Sequence, residues 1–162
     1  MFKRLYLVLL LLFVAIQFIH PGHNLSPGPG PNDIAAHNPV PPEVSQLLQV
    51  ACYDCHSNNT RYPWYASVQP VGWWLAGHIH DAKRHLNFSE FDGYSPQLAA
   101  KKLDLAMTEV REHDMPLHSY TLIHADARLT PEDVKLFCDW AEATRQRLLS
   151  VQTKPKPALT QP

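Results

Sequence analysis

Apolar residues recur at helical spacing along much of the chain. After Pro42 they fall at positions i, i+3, i+4 and i+7, which predicts a short amphipathic helix. Similar stripes predict helices over residues 73–86 and 95–113, the latter capped by Ser95 and opened by Pro96. The inward positions are Val44, Leu47, Leu48 and Ala51, then Leu75, Ile79, Ala82 and Leu86, then Ala99, Leu103, Ala106 and Val110.

The clearest start of a helix lies near the C-terminus. Thr130 is a capping residue, Pro131 suits the first helical position, and two acids follow in the first turn. The apolar stripe of this last helix is Val134, Phe137, Cys138 and Ala141. Residues 57–72 are rich in turn formers and aromatics and are expected to form a loop. No segment alternates like a strand, so the predicted class is all-α with about four helices.

The first twenty residues have the outline of an export signal. Lys3 and Arg4 precede an unbroken apolar run over residues 5–16. No small-x-small cleavage motif follows, which favours an uncleaved signal anchor over a cleaved signal peptide for residues 1–20. The positive residues would stay inside. The rest of the chain is therefore expected on the periplasmic side of the bacterial inner membrane, anchored there or released if the signal is cut.

Composition then divides the remaining chain. Residues 21–42 are dominated by proline and glycine and predict an extended linker. Residues 151–162 are polar and punctuated by proline, which predicts a disordered tail. One compact domain is left over residues 43–150. The formal net charge is −1, which gives no argument for binding nucleic acid.

Residues 52–56 read CYDCH, the attachment signature of c-type haem. Cys52 and Cys55 are spaced so that both can form thioethers with one porphyrin, and His56 beside them can bind the iron. The pattern therefore predicts one covalently attached haem.

Other interpretations of the cysteine pair are a redox dithiol, half of a zinc site or a structural disulfide. A thioredoxin-like motif belongs to a strand-helix-strand pattern, which is missing here. A zinc site usually needs a second closely spaced pair of ligands, whereas Cys138 stands alone. Export favours haem attachment, which takes place outside the cytoplasm.

A loop between the third and fourth helices supplies a candidate for the other face of the iron. Met115 precedes Pro116 there, and a thioether at the sixth position raises the reduction potential. The alternative is that Met115 fills a gap in the core. His78 and His85 share a helical face and are rival ligands. Arg61 is a candidate partner for a haem propionate.

The chain resembles a known family, the haem-binding domain family of exported bacterial c-type cytochrome-like proteins. The resemblance covers residues 43–146 and rests on CxxCHSN, PWY, PVxWW, HLNFSEF and the MP pair. It implies a small cytochrome c-like domain holding haem c, with Cys52, Cys55 and His56 as the attachment motif and Met115 as the MP methionine. Leu117 stands where the family usually has a second proline.

Three functions are compatible with these residues. The first is an electron carrier with His56 and Met115 as axial ligands, exchanging electrons with redox partner proteins. The second is a haem-based sensor or ligand-binding module with an exchangeable sixth site. The third is a haem peroxidase, for which His78 or His113 would be the acid-base group, although no catalytic constellation is visible. The aromatics of residues 64–74 are expected to pack around the macrocycle; they are Trp64, Tyr65, Trp73 and Trp74. The oligomeric state stays open.

Overall fold

The computed structural model describes residues 2–153, and these residues form helices with no strand among them. The all-α prediction is therefore confirmed. The α-helices are α1 (Phe2–Ile16), α2 (Ile34–His37), α3 (Pro42–Ala51), α4 (Tyr53–His56), α5 (Val71–His85), α6 (Pro96–Arg111), α7 (His118–Thr121) and α8 (Pro131–Thr153). Short 3₁₀ helices span Trp64–Ser67, Phe88–Gly93 and Ala125–Ala127.

Capping residues explain where α6 and α8 begin. The Ser95 hydroxyl accepts a hydrogen bond from the Leu98 N–H at 3.3 Å, and Pro96 occupies the first turn. At the start of α8, the Asp133 N–H donates to the Thr130 hydroxyl at 3.1 Å and the Thr130 N–H donates back to the Asp133 carboxylate at 2.9 Å. This reciprocal pair is a capping box, as the sequence predicts.

Helix α5 begins at Val71, two residues before the predicted start. The difference arises at Gly72, because a Cβ there would lie 2.3 Å from the Ala66 carbonyl oxygen. The 3₁₀ helix Trp64–Ser67 therefore packs directly on the first turn of α5, and only glycine allows this approach. Tertiary packing overrides the low helix propensity of glycine at this position.

The core lies where α3, α6 and α8 meet the 3₁₀ helix Phe88–Gly93. The inward stripes predicted for these helices are buried: Leu48, Leu103 and Ala141 are completely inaccessible to solvent. Cys138 is buried in the same cluster, in agreement with its expected role as a small apolar side chain. Packing on this core holds one end of α5 and the loop after α6 beside the same cavity.

The segment 21–42 was expected to have almost nothing to bury, and here the structure differs. Ile34 on α2 is fully buried in the core. The Asn24 side chain donates to the Ser57 carbonyl at 2.8 Å, and the Thr60 N–H donates to the Asn24 carbonyl at 2.9 Å. Proline and glycine content alone misses these contacts, because a few apolar and amide side chains suffice to fasten an extended segment.

The two ends of the chain differ in their surroundings. The apolar side chains of α1 are exposed along its length, from Phe2 to Val14. Within residues 2–153, no helix has both the length and the apolar character required to cross a membrane. Helix α8 continues to Thr153, and residues 154–162, most of the predicted tail, lie outside the described residues.

Candidate functional site

A cavity of about 500 Å³ opens among α4, α5, α6 and the loop before α7. Its volume falls in the range of roughly 300 to 1,000 Å³ that is typical of cofactor sites. All four predicted site residues line it: Cys52, Cys55, His56 and Met115. Apolar side chains supply much of the remaining wall, among them Leu47, Ala82, Leu86, Phe88, Leu105, Ala106, Val110 and Phe137.

The attachment motif sits on its own helical turn. Helix α3 ends at Ala51, and Cys52, with φ −125° and ψ −44°, joins it to α4 at a kink. The Cys52 carbonyl accepts hydrogen bonds from the N–H of Cys55 at 3.2 Å and from the N–H of His56 at 2.9 Å. The second thiol and the imidazole therefore lie one helical turn after the first thiol.

His56 is oriented by a hydrogen bond from its ring. Its Nδ1 lies 2.9 Å from the Leu86 carbonyl oxygen, which can only accept. Nδ1 must therefore carry the proton, and Nε2 of the neutral ring keeps a free lone pair. Burial lowers the pKa of His56, while its backbone hydrogen bonds oppose that effect. A neutral imidazole whose other nitrogen donates to a carbonyl is the usual form of a metal-binding histidine.

The two thiols are held in their protonated form. Burial raises the pKa of Cys52 to about 12 and that of Cys55 to about 11, and the charge of Asp54 adds to the effect on Cys55. A redox dithiol of the thioredoxin kind needs a lowered pKa. In the described residues, no three or more His, Cys, Asp or Glu side chains gather as a metal cluster. The dithiol and zinc interpretations therefore lack support in this geometry.

Asp54, between the two cysteines, anchors a buried polar network. Its carboxylate accepts from the Arg61 guanidinium through Nε and Nη2, both at 3.1 Å, and from the Arg61 N–H at 3.0 Å. The Tyr120 hydroxyl donates to the same carboxylate at 2.7 Å. Burial and this hydrogen bond raise the pKa of Tyr120, so the hydroxyl remains a donor. Because Tyr120 lies on α7, the network joins the attachment turn to the segment that follows Met115.

Met115 lines the same cavity from the loop that follows α6. The N–H groups of Asp114 and Met115 both donate to the Glu109 carbonyl, at 2.9 and 3.1 Å, and so turn the chain away from the end of α6. His113, at φ +62°, adopts the left-handed conformation within this turn. The Met115 side chain is half-buried and also touches the core. It is therefore both a core neighbour and the thioether that faces the site.

Of the candidate histidines, both rival ligands line the cavity. His78 and His85 line the cavity with Met115, whereas the described lining does not include His113. The His78 Nδ1 lies 3.0 Å from the Trp74 carbonyl, and its ring contacts the Trp74 indole with centroids 4.1 Å apart. Two imidazoles thus remain within the same space as the thioether.

One expectation about the surroundings is wrong. Trp64, Tyr65, Trp73 and Trp74 were expected to pack around the macrocycle, yet none belongs to the described cavity lining. Trp64 is 82 % exposed and Trp74 is 50 % exposed. These residues occupy the 3₁₀ helix and the first turn of α5, and the sequence pattern does not show which side of those elements faces the cavity.

Sequence reasoning also missed residues that build the site. Leu86 orients His56 from 30 residues away through its carbonyl, which carries no signal in the side chain. Tyr120 is 66 residues from Asp54. Arg61, assigned to a propionate, instead pairs with Asp54. The ammonium of Lys102 lines the cavity and donates to the Arg84 and His85 carbonyls at the end of α5.

These donors fit a haem group. Two thiols one turn apart, an imidazole held by its Nδ1, a thioether in the same cavity and apolar walls are groups that hold haem in proteins. The comparison with protein families matches residues 11–143 to the haem-binding domain family. No curated protein and no solved structure gives a match. Because the family match spans most of the chain, this protein belongs to the haem-binding domain family and binds haem.

Proposed function

We propose that this protein is an exported c-type cytochrome that carries electrons through one covalently attached haem. Cys52 and Cys55 would hold the group as thioethers, and His56 and Met115 would bind the iron. The observation that carries the proposal is that all four side chains line one cavity, with the free Nε2 of His56 left available by the Leu86 hydrogen bond. When bound, haem iron accepts and releases one electron by changing between its ferric and ferrous states.

The residues of the chain have distinct tasks in this proposal. The Leu86 carbonyl keeps the His56 ring in one tautomer and one orientation. The Met115 thioether stabilises ferrous iron and so raises the reduction potential. The apolar wall would exclude water from the site. Less solvent would then have to rearrange when the iron changes its oxidation state. Asp54 and Tyr120 hold the two sides together.

The N-terminal segment supplies the cellular context. Lys3 and Arg4 lie in the first turn of α1, ahead of its apolar residues, which favours export with α1 retained as a membrane anchor. The domain would then lie on the periplasmic side and exchange electrons with redox partner proteins there. This setting also gives the cysteines access to the haem-attachment machinery outside the cytoplasm.

Covalent attachment is tested by removing the thiols. The variant with Cys52→Ser and Cys55→Ser should carry no haem that survives denaturation, as measured by haem staining and by intact mass. Cys138→Ser is the matched control, because that thiol is buried in the core away from the cavity, and it should keep full haem content. Haem bound covalently in the double variant would refute the attachment through these thiols.

Axial ligation is tested by spectroscopy of the purified holoprotein. Absorption and magnetic spectra should show a low-spin, methionine-ligated iron in both oxidation states. A high-spin ferrous form that binds carbon monoxide readily would instead favour the sensor hypothesis. A low-spin spectrum typical of two imidazoles would indicate that the sixth ligand is His78 or His85, which also line the cavity, and not Met115.

A further inference from the structure

The tryptophans that do not surround the cavity form an exposed apolar surface. This tryptophan face consists of Trp64, Val68, Val71, Trp73 and Trp74, which are between 37 and 82 % exposed. Exposed apolar surfaces of this kind usually mark a contact with a partner or a membrane. None of residues 62–80 is Asp, Glu, Lys or Arg, so the surface also lies in an uncharged stretch of the chain.

The tryptophan face is built on a rigid support. The close approach of Gly72 to the Ala66 carbonyl packs the 3₁₀ helix Trp64–Ser67 against the first turn of α5. Gln69 between them is fully buried, and its side-chain oxygen accepts a hydrogen bond from the Trp73 N–H at 3.1 Å. The face is therefore presented as a fixed surface.

Hydrogen bonds attach the end of α1 to this same face. The Gln17 side chain accepts from the Gln69 N–H at 2.9 Å and donates to the Gln69 carbonyl at 3.1 Å. The Trp73 indole N–H donates to the Ile19 carbonyl at 2.9 Å. Phe18 and Ile19 are themselves 81 and 61 % exposed. Hydrogen bonds therefore hold the end of the apolar helix beside the tryptophan face.

We propose that the tryptophan face rests on the interface of the lipid bilayer that receives α1, a proposal that builds on membrane anchoring. Helix α1 exposes apolar side chains along its whole length, as expected of a helix surrounded by lipid. Tryptophan is enriched where the bilayer meets water, because its ring is apolar and its N–H polar. A tryptophan surface beside the end of such a helix, with no charge in residues 62–80, fits that boundary.

This placement sets the distance between the haem site and the membrane. Trp74 contacts His78, and His78 lines the cavity. The two residues are four positions apart on α5, about 6 Å along the axis. The domain is held at the bilayer surface with the cavity close to it, so the partners it suits are those within or on the same membrane.

Photolabelling of the full-length holoprotein tests the contact. The protein is reconstituted in vesicles of phosphatidylethanolamine and phosphatidylglycerol that contain a trace of diazirine phospholipid, irradiated and mapped by mass spectrometry. We expect labels in residues 2–19 and in residues 64–74. Leu98 and Leu149 are the internal control, since they are 43 and 37 % exposed and lie on α6 and α8. Labelling of residues 64–74 should exceed theirs at least fivefold.

A variant makes the test specific. Trp64→Ser with Trp74→Ser should lower labelling of residues 64–74 at least threefold and leave that of α1 unchanged, while Leu98→Ser with Leu149→Ser should change neither. Labels confined to α1 would overturn the tryptophan contact and leave anchoring intact. The absence of labels in α1 would overturn anchoring and the contact together.

Discussion

The two walls of the haem cavity are held in very different ways. The attachment wall has its ring orientation set by the Leu86 carbonyl, and Asp54 beside it is bound by Arg61 and Tyr120. The Met115 wall is a loop held by two N–H groups on one carbonyl, that of Glu109. A thioether sulfur is a weak hydrogen-bond acceptor, so packing alone positions the Met115 side chain.

This difference predicts that the His56 side of the site is more rigid than the Met115 side. A buried carboxylate that accepts several hydrogen bonds, as Asp54 does, is costly to disturb. A loop with few bonds opens at lower free energy. In the proposed cytochrome, exchange of ligands is therefore expected at the Met115 side, with His78 and His85 as the imidazoles within reach of the same space.

The largest effect is expected from His56→Ala. Loss of the oriented imidazole should remove the low-spin spectrum from every holoprotein molecule, because no other nitrogen stands on the attachment turn. His85→Ala is the matched control, since it also lines the cavity, and it should keep the spectrum. Magnetic circular dichroism of both variants measures the outcome. An unchanged spectrum in His56→Ala would show that His56 is not an axial ligand of the iron.

Met115→Leu should keep the fold and lose the methionine signature. The exchange conserves volume and costs less than about 1.5 kcal/mol. The reduction potential should fall by more than about 59 mV, a tenfold change for one electron. Met107→Leu, in the core on α6, controls for loss of a methionine and should leave the potential unchanged. Redox titration measures the reduction potential of both variants. Equal potentials would show that Met115 serves packing alone.

Tyr120→Phe tests the link between the walls. It removes a hydrogen bond to a buried carboxylate, which should lower the free energy of unfolding by about 1.5 to 3 kcal/mol. Tyr62→Phe is the control: its hydroxyl accepts from the neutral Asn24 N–H at 2.7 Å, and the cost should be about 1 kcal/mol. Urea unfolding measures both, and equal losses would argue against a special role for the Asp54 network.

The smallest effect is expected from Leu117→Pro, which would give this chain the second proline of its family. Leu117 has φ −52°, close to the value that proline imposes. Among residues 2–153 its N–H donates no hydrogen bond that proline would remove. We expect a gain of about 0.5 kcal/mol in unfolding free energy and slower loss of the methionine signature on heating. Destabilisation by more than 1 kcal/mol, a threshold of roughly twice the expected gain, would show that the loop needs its present freedom.

Local signals in the sequence account for the parts that were predicted. Ser95, Pro96, Thr130 and Asp133 mark their helix starts because caps depend on residues three apart. The attachment motif is equally local, since Cys52, Cys55 and His56 occupy one turn. Met115 was found because a proline follows it.

The remainder depends on contacts between distant residues. The Leu86 carbonyl and the Tyr120 hydroxyl meet the attachment turn across 30 and 66 residues. Ile34 enters the core from a stretch whose composition favours solvation. The tryptophans were misassigned because an aromatic near a haem motif fits a cofactor wall and a membrane surface equally well.

Helix α8 closes the fold over a long interval of the chain. The Trp140 indole N–H donates to the Pro39 carbonyl at 3.1 Å, over 101 residues. Synthesis proceeds from the N-terminus, so this bond cannot form until nearly the whole domain has been made. Phe137, one turn earlier on α8, also belongs to the cavity wall. The two thiols therefore emerge well before their pocket is complete, which leaves an interval in which the unfolded chain is open to modification.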